Sequence, residues 1–439
     1  MKYTLLFLWC TCASLGHAQT DSLPALKQQR WNVHFQFTSI GQWHPDFKAA
    51  YSGDNSLMTH EGPKVSVTAT LFFGLRLWKG AELYFNPELS GGAGFSKTLG
   101  AAGFPNGETF RVGSPSPAVY VARLFFRQYI ALSKKTEWVE NDQNQLRVKR
   151  PISYLSFLVG RINLADYFDN NAYAHDARTR FLNWALMGNG AWDYPANTRG
   201  YTYGFVAEYV RPHLAVRYSL CVVPTEANSS TMNFNLSKAG SHTLEVEGNW
   251  KIKGREGTAR LLGFVTRANM GSYRLATAMD TPDITATQVY SRTKYGFGIN
   301  VEQQVHDHAG VFARFSWNDG RTETWMFTEI DRAFSAGAQI DGHYWKRPND
   351  AIGVALLVNG LSEDHRKYLA KGGYGFIIGD GRLNYAPEFV TELYYSFAVW
   401  KDWVTISPDY QFILHPAYNR DRGPVHALGV RLHVAVGNK

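Results

Sequence analysis

The chain has little cysteine and, beyond its N-terminus, no long apolar run. Only Cys221 lies outside the first 18 residues, so a mature chain could form no internal disulfide. A helical membrane protein needs stretches of roughly 20 apolar residues, and none follows residue 18. These two deficits exclude a disulfide-stapled scaffold and a bundle of transmembrane helices.

Motifs of catalysis are also missing. The sequence contains no Gly-x-Ser-x-Gly elbow, no His-Glu-x-x-His pair and no glycine-rich phosphate loop. The stretch His306-Asp307-His308 suggests a metal, but it fills a tight turn, for which ordinary solvation is the simpler interpretation. We therefore expect a protein that is not an enzyme and has no cofactor and no metal site.

The charge is modestly basic. The formal net charge is +8, and removing Lys2 with an N-terminal signal leaves +7. Basic side chains are scattered and not clustered, which argues against a nucleic-acid partner. Residues 1–18 are typical of a secretory signal, because Lys2 precedes an apolar core that ends in Gly16-His17-Ala18. We expect a mature domain from about Gln19 to residue 439.

What the chain has in abundance is alternation of apolar and polar residues. The pattern predicts sixteen β-strands with two unlike faces, and the 15% aromatic content suits a wall that meets lipid. Most predicted strands have the roughly 9–11 residues that a tilted transmembrane strand needs. They span residues 31–41, 65–77, 80–89, 119–131, 152–162, 201–210, 213–222, 243–252, 258–269, 294–304, 309–317, 325–340, 351–358, 386–399, 402–414 and 425–436.

The connections between these strands alternate in length. Long gaps follow most odd strands and short gaps follow most even strands, as in outer-membrane barrels with short periplasmic turns and long external loops. The charged segment 133–150 breaks this rule, and is either a periplasmic insertion or a sign of a miscounted strand. We predict an all-β fold: a transmembrane antiparallel barrel of about sixteen strands, with external loops partly folded into the lumen.

Three blocks of sequence resemble the carbohydrate-selective porin (OprB) family. The first is FGLRLWKGAELYFNPE at 73–88, continued by AGFPNGE at 102–108. The second is DYFDNNAYAHD at 166–176, with FLNWAL at 181–186 and WDYPA at 192–196; the third is SPDYQFI at 407–413 with PAYNRDRGP at 416–424. The resemblance implies an outer-membrane channel through which sugars diffuse, with lipid and lipopolysaccharide as its surroundings. It specifies neither the sugar nor whether the chain is a monomer or a trimer.

Alternation also assigns an inner wall. In the fourth predicted strand it places Arg123, Arg127 and Tyr129 inward, and Tyr120 and Ala122 toward lipid. Arginines and carboxylates facing a lumen offer sugar hydroxyls both donors and acceptors, although they also satisfy one another as a wall network. The resulting wall candidates include Arg76, Glu82, Glu88, Arg123, Arg127 and Arg161, and of these all but Glu88 are placed near the narrowest point. Further wall candidates are Glu208, Arg217, Glu302, Arg314 and Glu392.

The long gap 163–200 is the first candidate for an infolded constriction loop, and the segment 90–118 is the second. We expect a short helix capped by Asp176 and ended by Gly188. The expected sugar contacts in this loop are Asp166, Asp169, Asn183 and Trp192. Two other classes stay open: an outer-membrane barrel enzyme, and a secreted β-rich carbohydrate-binding protein that would need no sorted loops.

Overall fold

The computed structural model describes residues 27–109 and 116–438. Within these residues, sixteen antiparallel strands form one closed barrel, which confirms the predicted fold. The predicted signal sequence and its cleavage near Gln19 lie outside the described residues. The barrel strands are Trp31–Trp43 (β1), Lys64–Trp78 (β2), Ala81–Gly92 (β3), Ala118–Ala131 (β4), Tyr154–Ile162 (β5), Thr202–Arg211 (β6), Leu214–Cys221 (β7), Gly240–Ile252 (β8), Arg255–Met270 (β9), Val289–His306 (β10), Ala309–Asn318 (β11), Arg332–Asp341 (β12), Ala351–Gly360 (β13), Glu388–Trp400 (β14), Val404–Leu414 (β15) and Val425–Gly437 (β16).

The barrel closes where the first strand meets the last. Strand β1 pairs with β16 from His34↔Gly437 to Trp43↔Leu428. Because the barrel is closed, no strand edge is left with unpaired backbone groups. Such groups would be costly in a bilayer, whose hydrocarbon offers no water to hydrogen-bond them. Because the strand number is even, the start of β1 and the end of β16 lie on the same side of the barrel as the turns that follow even strands.

The two faces of each strand separate as the alternation predicts. On β2, Leu71 and Phe73 are each 38% exposed, whereas the inward Phe72 between them is 4% exposed. Tryptophans lie near strand ends, among them the exposed Trp31, Trp78 and Trp400, where amphipathic rings suit the headgroup region. The outward face is therefore apolar without any long apolar run in the sequence.

Long connections follow every odd strand of the barrel, a more regular pattern than the sequence predicts. Strand β12 begins at Arg332 and not at residue 325, because the backbone amides of residues 325–327 bind the carboxylate of Asp193 at 2.8–3.0 Å. The connection after β11 is therefore long, like those after the other odd strands. The exception at 133–150 is an insertion: Thr136–Val139 pairs with Val148–Pro151 in a separate hairpin between β4 and β5.

Helical segments are short and lie in the connections. The α-helices are Trp184–Met187 (α1), Tyr273–Ala278 (α2) and Glu363–Ala370 (α3). Turns of 3₁₀ helix occupy Phe95–Lys97, Leu164–Asp166, Thr285–Thr287, Gly342–Trp345 and Pro416–Tyr418, and a two-residue ladder joins Val223–Pro224 to Met232–Asn233. Among the described residues, no helix is long and apolar enough to cross a bilayer.

External connections fill much of the lumen. One apolar cluster packs Leu57, Phe95 and Phe181 from three different loops against inward side chains such as Leu357 of β13 and Val390 of β14. All five are at most 3% exposed. Burial of this kind stabilises by roughly 1.5–3 kcal/mol per large apolar side chain, so these loops are fixed parts of the barrel interior. The open part of the lumen lies elsewhere, against the opposite strands.

Candidate functional site

A polar cavity of about 850 Å³ remains between the infolded loop 163–201 and the wall formed by β1–β7. Its size lies in the range of about 300–1,000 Å³ that is typical of small-molecule sites. Wall side chains include Gln36, Glu88, Arg123, Arg127 and Arg217, and the loop supplies Asp166 and Trp192. The infolded loop predicted from the sequence therefore borders the open lumen, and the 93–117 connection adds Phe104 and Glu108.

Arg123 on β4 forms a two-contact ion pair with Asp166 at the start of the loop. Its Nε lies 2.6 Å from Oδ2 and its Nη2 lies 2.7 Å from Oδ1. Parallel contacts of this kind fix the guanidinium plane as well as its position. Asp166 keeps 28% of its side chain exposed, so the pair presents both a cationic and an anionic edge to the cavity.

Arg127, one inward step further along β4, is held by aromatic groups. Its guanidinium donates to the hydroxyls of Tyr129 and Tyr167, each at 3.1 Å, and lies 5.4 Å from the ring centroid of Phe125. No carboxylate within the described part of the chain approaches it closely enough for an ion pair. Burial raises the pKa of the Tyr167 hydroxyl, which therefore stays a neutral hydrogen-bonding group. Arg127 thus brings a positive charge to the cavity without a directly paired anion.

Arg178 ties the loop to the wall and to the second infolded connection. It lies 3.1 Å from Glu88 of β3 and 2.9 Å from Glu108, and it also donates to Gln36 and Thr70. Burial alone would lower its pKa, but Glu108 and Glu88 hold the pKa of Arg178 well above its ordinary value. One buried cation therefore joins three strands and two loops.

Aromatic rings from the loop form one side of the cavity. Trp192 lies 5.4 Å from Tyr194, and Trp184 lies 5.1 Å from Phe327, between ring centroids. The Trp192 side chain is buried at 3% exposure, and its indole nitrogen has no hydrogen-bond partner among the described residues. A buried donor left unpaired is costly, so a hydrogen bond to a solute that reached this nitrogen would offset that cost.

The hairpin at 136–151 closes the cavity from the side of the chain termini. Asp142, Gln143, Asn144 and Gln145 at its tip line the cavity. Asn86 of β3 donates to Asn144 at 2.9 Å, and Asn32 of β1 donates to three groups of the hairpin at 2.7–3.1 Å. The segment that interrupts the loop-length rule is therefore an insertion folded into the lumen.

Comparison with protein-family models finds the carbohydrate-selective porin, OprB family, matched over residues 64–435. The chain belongs to this family. Among solved structures, the high-pH form of Pseudomonas putida OprB has a TM-score of 0.67 at 17% identity, covering 92% of this chain and 94% of that one. Its low-pH form has a TM-score of 0.51 at 15% identity, covering 92% of each chain.

The outer membrane channel DcaP of Acinetobacter baumannii is also similar, with a TM-score of 0.50 at 11% identity over 92% of this chain and 97% of that one. These identities show a common fold and no more. No curated protein sequence matches the chain significantly. Family and barrel together make the protein a porin of the bacterial outer membrane, in a family of carbohydrate channels.

In this porin, two of the four loop residues expected to contact sugar instead anchor the loop. Asp169 is 2% exposed and accepts from Asn189, Asn300 and Arg314. Asn183 is fully buried; its side chain caps α1 through Ala185 and donates to Gln411 at 3.0 Å. Asn183 and not Asp176 is therefore the helix cap, although the helix ends at Gly188 as predicted.

Six of the residues predicted to line the inner wall lie in different environments. Glu88, Arg123 and Arg127 line the cavity. Arg76 lies at the end of β2, where it donates to Gln28, and Glu82 accepts from Tyr84 deeper in the wall. Arg161 faces the wrong way: its cross-strand neighbours are the exposed, lipid-facing Leu124 and Tyr203, and its guanidinium lies 5.1 Å from the Tyr203 ring. The prediction that Arg161 lines the lumen is wrong, because Gly160 and Ile162 are the inward residues there.

Tyr120 is a site residue that strict alternation misses. A register shift between Asn86 and Pro87 lets Asn86 oppose Arg123 while Pro87 opposes Val121, so Ala122 is an extra residue on β4. Beyond this bulge the faces exchange, and Tyr120 points inward and donates to Glu88. The sequence signal was Pro87 inside a strand, since proline cannot donate to the ladder and often marks a bulge.

Proposed function

We propose that this porin allows passive diffusion of monosaccharides or small oligosaccharides through the cavity between loop 163–201 and strands β1–β7. The observation that carries the proposal is that Arg123, Asp166 and Arg127 line the same cavity as the rings of Trp192 and Tyr194. A sugar has hydroxyls around its edge and apolar C–H groups on its faces. The cavity offers charged donors and acceptors for the first and aromatic surfaces for the second.

Charge balance in the wall favours a neutral solute over a strongly bound ion. Arg217 contacts Glu208, Glu245 and Glu247 at 2.9–3.2 Å, and Arg260 contacts Glu247 and Glu302 at 2.9 and 3.3 Å. These ladders leave the wall polar but largely neutralised. A solute that exchanges hydrogen bonds with such a wall is held weakly enough to leave again, as diffusion through a channel requires.

The proposal includes a passive, non-enzymatic role for the chain. The outward apolar face would meet outer-membrane lipid, with lipopolysaccharide on the side of the long loops. Flux would depend on the size of the cavity and on its wall chemistry, and no energy source or cofactor enters this scheme.

Single-channel recording in planar bilayers, together with liposome swelling, tests the proposal. The refolded chain should conduct ions, and a permeating sugar should reduce the ion current in a concentration-dependent way. Liposomes that contain the protein should swell in that sugar and not in an equally concentrated larger polysaccharide. If channels form but no mono- or oligosaccharide blocks the current or crosses the membrane, the sugar assignment is refuted and the protein is a general porin.

A further inference from the structure

Two neighbouring turns at the end of the barrel that carries the chain termini bring together residues from distant parts of the sequence. One turn joins β10 to β11 at His306–Ala309, and the other joins β12 to β13 at Asp341–Ala351. Because Ala309 pairs with Ile340, His308 lies beside Asp341. The backbone amide of Asp341 donates to the carbonyl of His308 at 3.0 Å. The relative position of the two turns is therefore fixed by the barrel itself.

We propose that His308, Asp341 and His343 bind one divalent transition-metal ion of the Zn²⁺ class at this periplasmic rim. The Nδ1 of His308 lies 3.1 Å from Oδ2 of Asp341, and the Nδ1 of His343 lies 3.6 Å from Oδ1. One ligand atom from each of the three residues lies within 4.8 Å of the others. A tetrahedral zinc ion with bonds of about 2.0–2.1 Å separates its ligand atoms by about 3.3 Å, so both histidines stand near ligand spacing from the carboxylate.

Rotation of the His343 side chain is needed to close the three groups on an ion. The rings of His308 and His343 are stacked, with centroids 3.9 Å apart and planes at 9°. A coordinated ion lies in the plane of its imidazole, so His343 must rotate out of the stack. Its side chain is 55% exposed, compared with 30% for His308, so the rotation meets little packing.

The backbone that carries Asp341 and His343 is tightly held. A side chain at Gly342 would clash with the carbonyl of Arg347, because a Cβ there would lie 2.0 Å from that oxygen. Gly342 donates to Asp350, and Arg347 donates back to Gly342, at 2.9 and 2.8 Å. Asp341 caps this turn by accepting from the amide of His343 at 3.1 Å. The loop therefore holds the carboxylate in place before an ion arrives.

The donor set indicates the class of ion. Two imidazoles and one carboxylate suit Zn²⁺, Ni²⁺ or Cu²⁺, whereas Ca²⁺ and Mg²⁺ prefer oxygen ligands. Partial exposure leaves a fourth position for water. His306 is a further nitrogen nearby, with its ring centroid 6.3 Å from that of His308 and its Nδ1 bonded to Tyr344. A bound ion would cross-link two adjacent turns at the mouth of the barrel.

The test is zinc binding by the full chain, refolded in detergent without a polyhistidine tag and freed of metal with a chelator. Isothermal titration with ZnCl₂ should give one ion per chain, and Co²⁺ should produce a visible ligand-field band that Zn²⁺ abolishes. H308A and H343A should each weaken zinc binding by at least roughly 10–100-fold. Losses of this size follow even when the mutated residue only hydrogen-bonds to a metal ligand. H213A, on the exposed β6–β7 turn, is the matched control and should bind as the wild type does.

The result that overturns the proposal is the absence of stoichiometric zinc binding, or binding that H308A and H343A leave unchanged. H343A keeps the proposal testable if H308A fails to refold, because His343 is the more exposed of the two side chains. The inference is independent of the sugar proposal. Sugar permeation measured with and without chelator reports on that function separately, and its failure would not affect the metal titration.

Discussion

Arg123 and Asp166 are joined at the edge of the cavity by two parallel contacts of 2.6 and 2.7 Å, although they lie 43 positions apart in the chain. The pair connects the barrel wall to the first turn of the infolded loop. It also balances charge where the wall and the loop line the cavity. Changing either partner should therefore alter ion selectivity in opposite directions.

Asp166→Asn should increase the preference of the channel for anions, whereas Arg123→Ala combined with Arg127→Ala should reduce it. A unit charge about 5–8 Å from an ion in water contributes roughly 0.5–0.8 kcal/mol, so the permeability ratio should change about two- to fourfold. Reversal potentials in a salt gradient measure this ratio. Unchanged selectivity in both variants would remove these residues from the narrow part of the lumen.

Trp192→Phe should weaken sugar binding while keeping the packing of the ring. The variant removes the unpartnered indole donor, and one neutral hydrogen bond is worth about 0.5–1.5 kcal/mol, so the affinity measured by current block should fall about two- to tenfold. Trp250→Phe is the control, because that indole donates to Gln303 outside the cavity. Equal effects of the two variants would contradict a sugar-binding role for Trp192.

Replacing residues 134–150 by a short turn should raise single-channel conductance, because the tip of this hairpin lines the cavity. Asn144→Ala, which removes the contact with Asn86, should raise it less. Shortening the exposed external segment 234–238 is the control for changed loop length and should leave conductance as it is. A hairpin deletion that folds and conducts like the wild type would place the ion path elsewhere.

Arg178→Ala should destabilise the infolded loop, because Glu88 and Glu108 would each lose a buried cation. Breaking a buried ion pair by removing one partner costs about 3–5 kcal/mol. We expect a lower free energy of unfolding in urea with lipid vesicles, together with noisier channel currents. Arg178→Lys retains the charge and should recover part of the loss; if the alanine variant is as stable as the wild type, Arg178 does not anchor the loop.

Glu61, in the first external loop, should make the free energy of unfolding depend on pH. Burial alone would raise the pKa of this carboxyl, but hydrogen bonds from His44 and Ser96 and the nearby Lys64 lower it to about 2. A lowered pKa contributes stability that is present above the ordinary value of about 4.5 and is lost as the pH falls through 2. The pKa of His44 is raised despite its burial, by Glu61 and Pro45. The His44 contribution is therefore present below pH 6.5 and lost at higher pH.

Glu61→Gln should therefore reduce the free energy of unfolding most between about pH 4.5 and 6.5. Hydrogen bonds to a charged group are worth about 1.5–3 kcal/mol, and the difference from the wild type should shrink toward pH 2. Urea unfolding of both proteins at pH 7, 5.5 and 2.5 measures it. A difference that is the same at all three pH values would refute the role assigned to the Glu61 charge.

The sequence by itself determined the barrel. A two-residue period and the sorting of loop lengths are local properties, and a bilayer allows few ways to bury one face while pairing every backbone group. The same reasoning placed Arg123 and Arg127 on the inner wall. It failed at Tyr120, because a bulge exchanges the two faces of that strand. At Arg161 no register shift occurs, and the charge of the side chain misled the assignment, because the residue shares a face with Leu155 and Val159.

Only the tertiary structure decided which inward groups are free and which are structural. Asp169 and Asn183 look like sugar ligands in the sequence, but Arg314 and Gln411, more than a hundred residues away, bind them as anchors. His308 acquires Asp341 and His343 as neighbours only because β11 pairs with β12. Such contacts depend on barrel closure and loop infolding, and these follow from the packing of the whole chain and not from any local pattern.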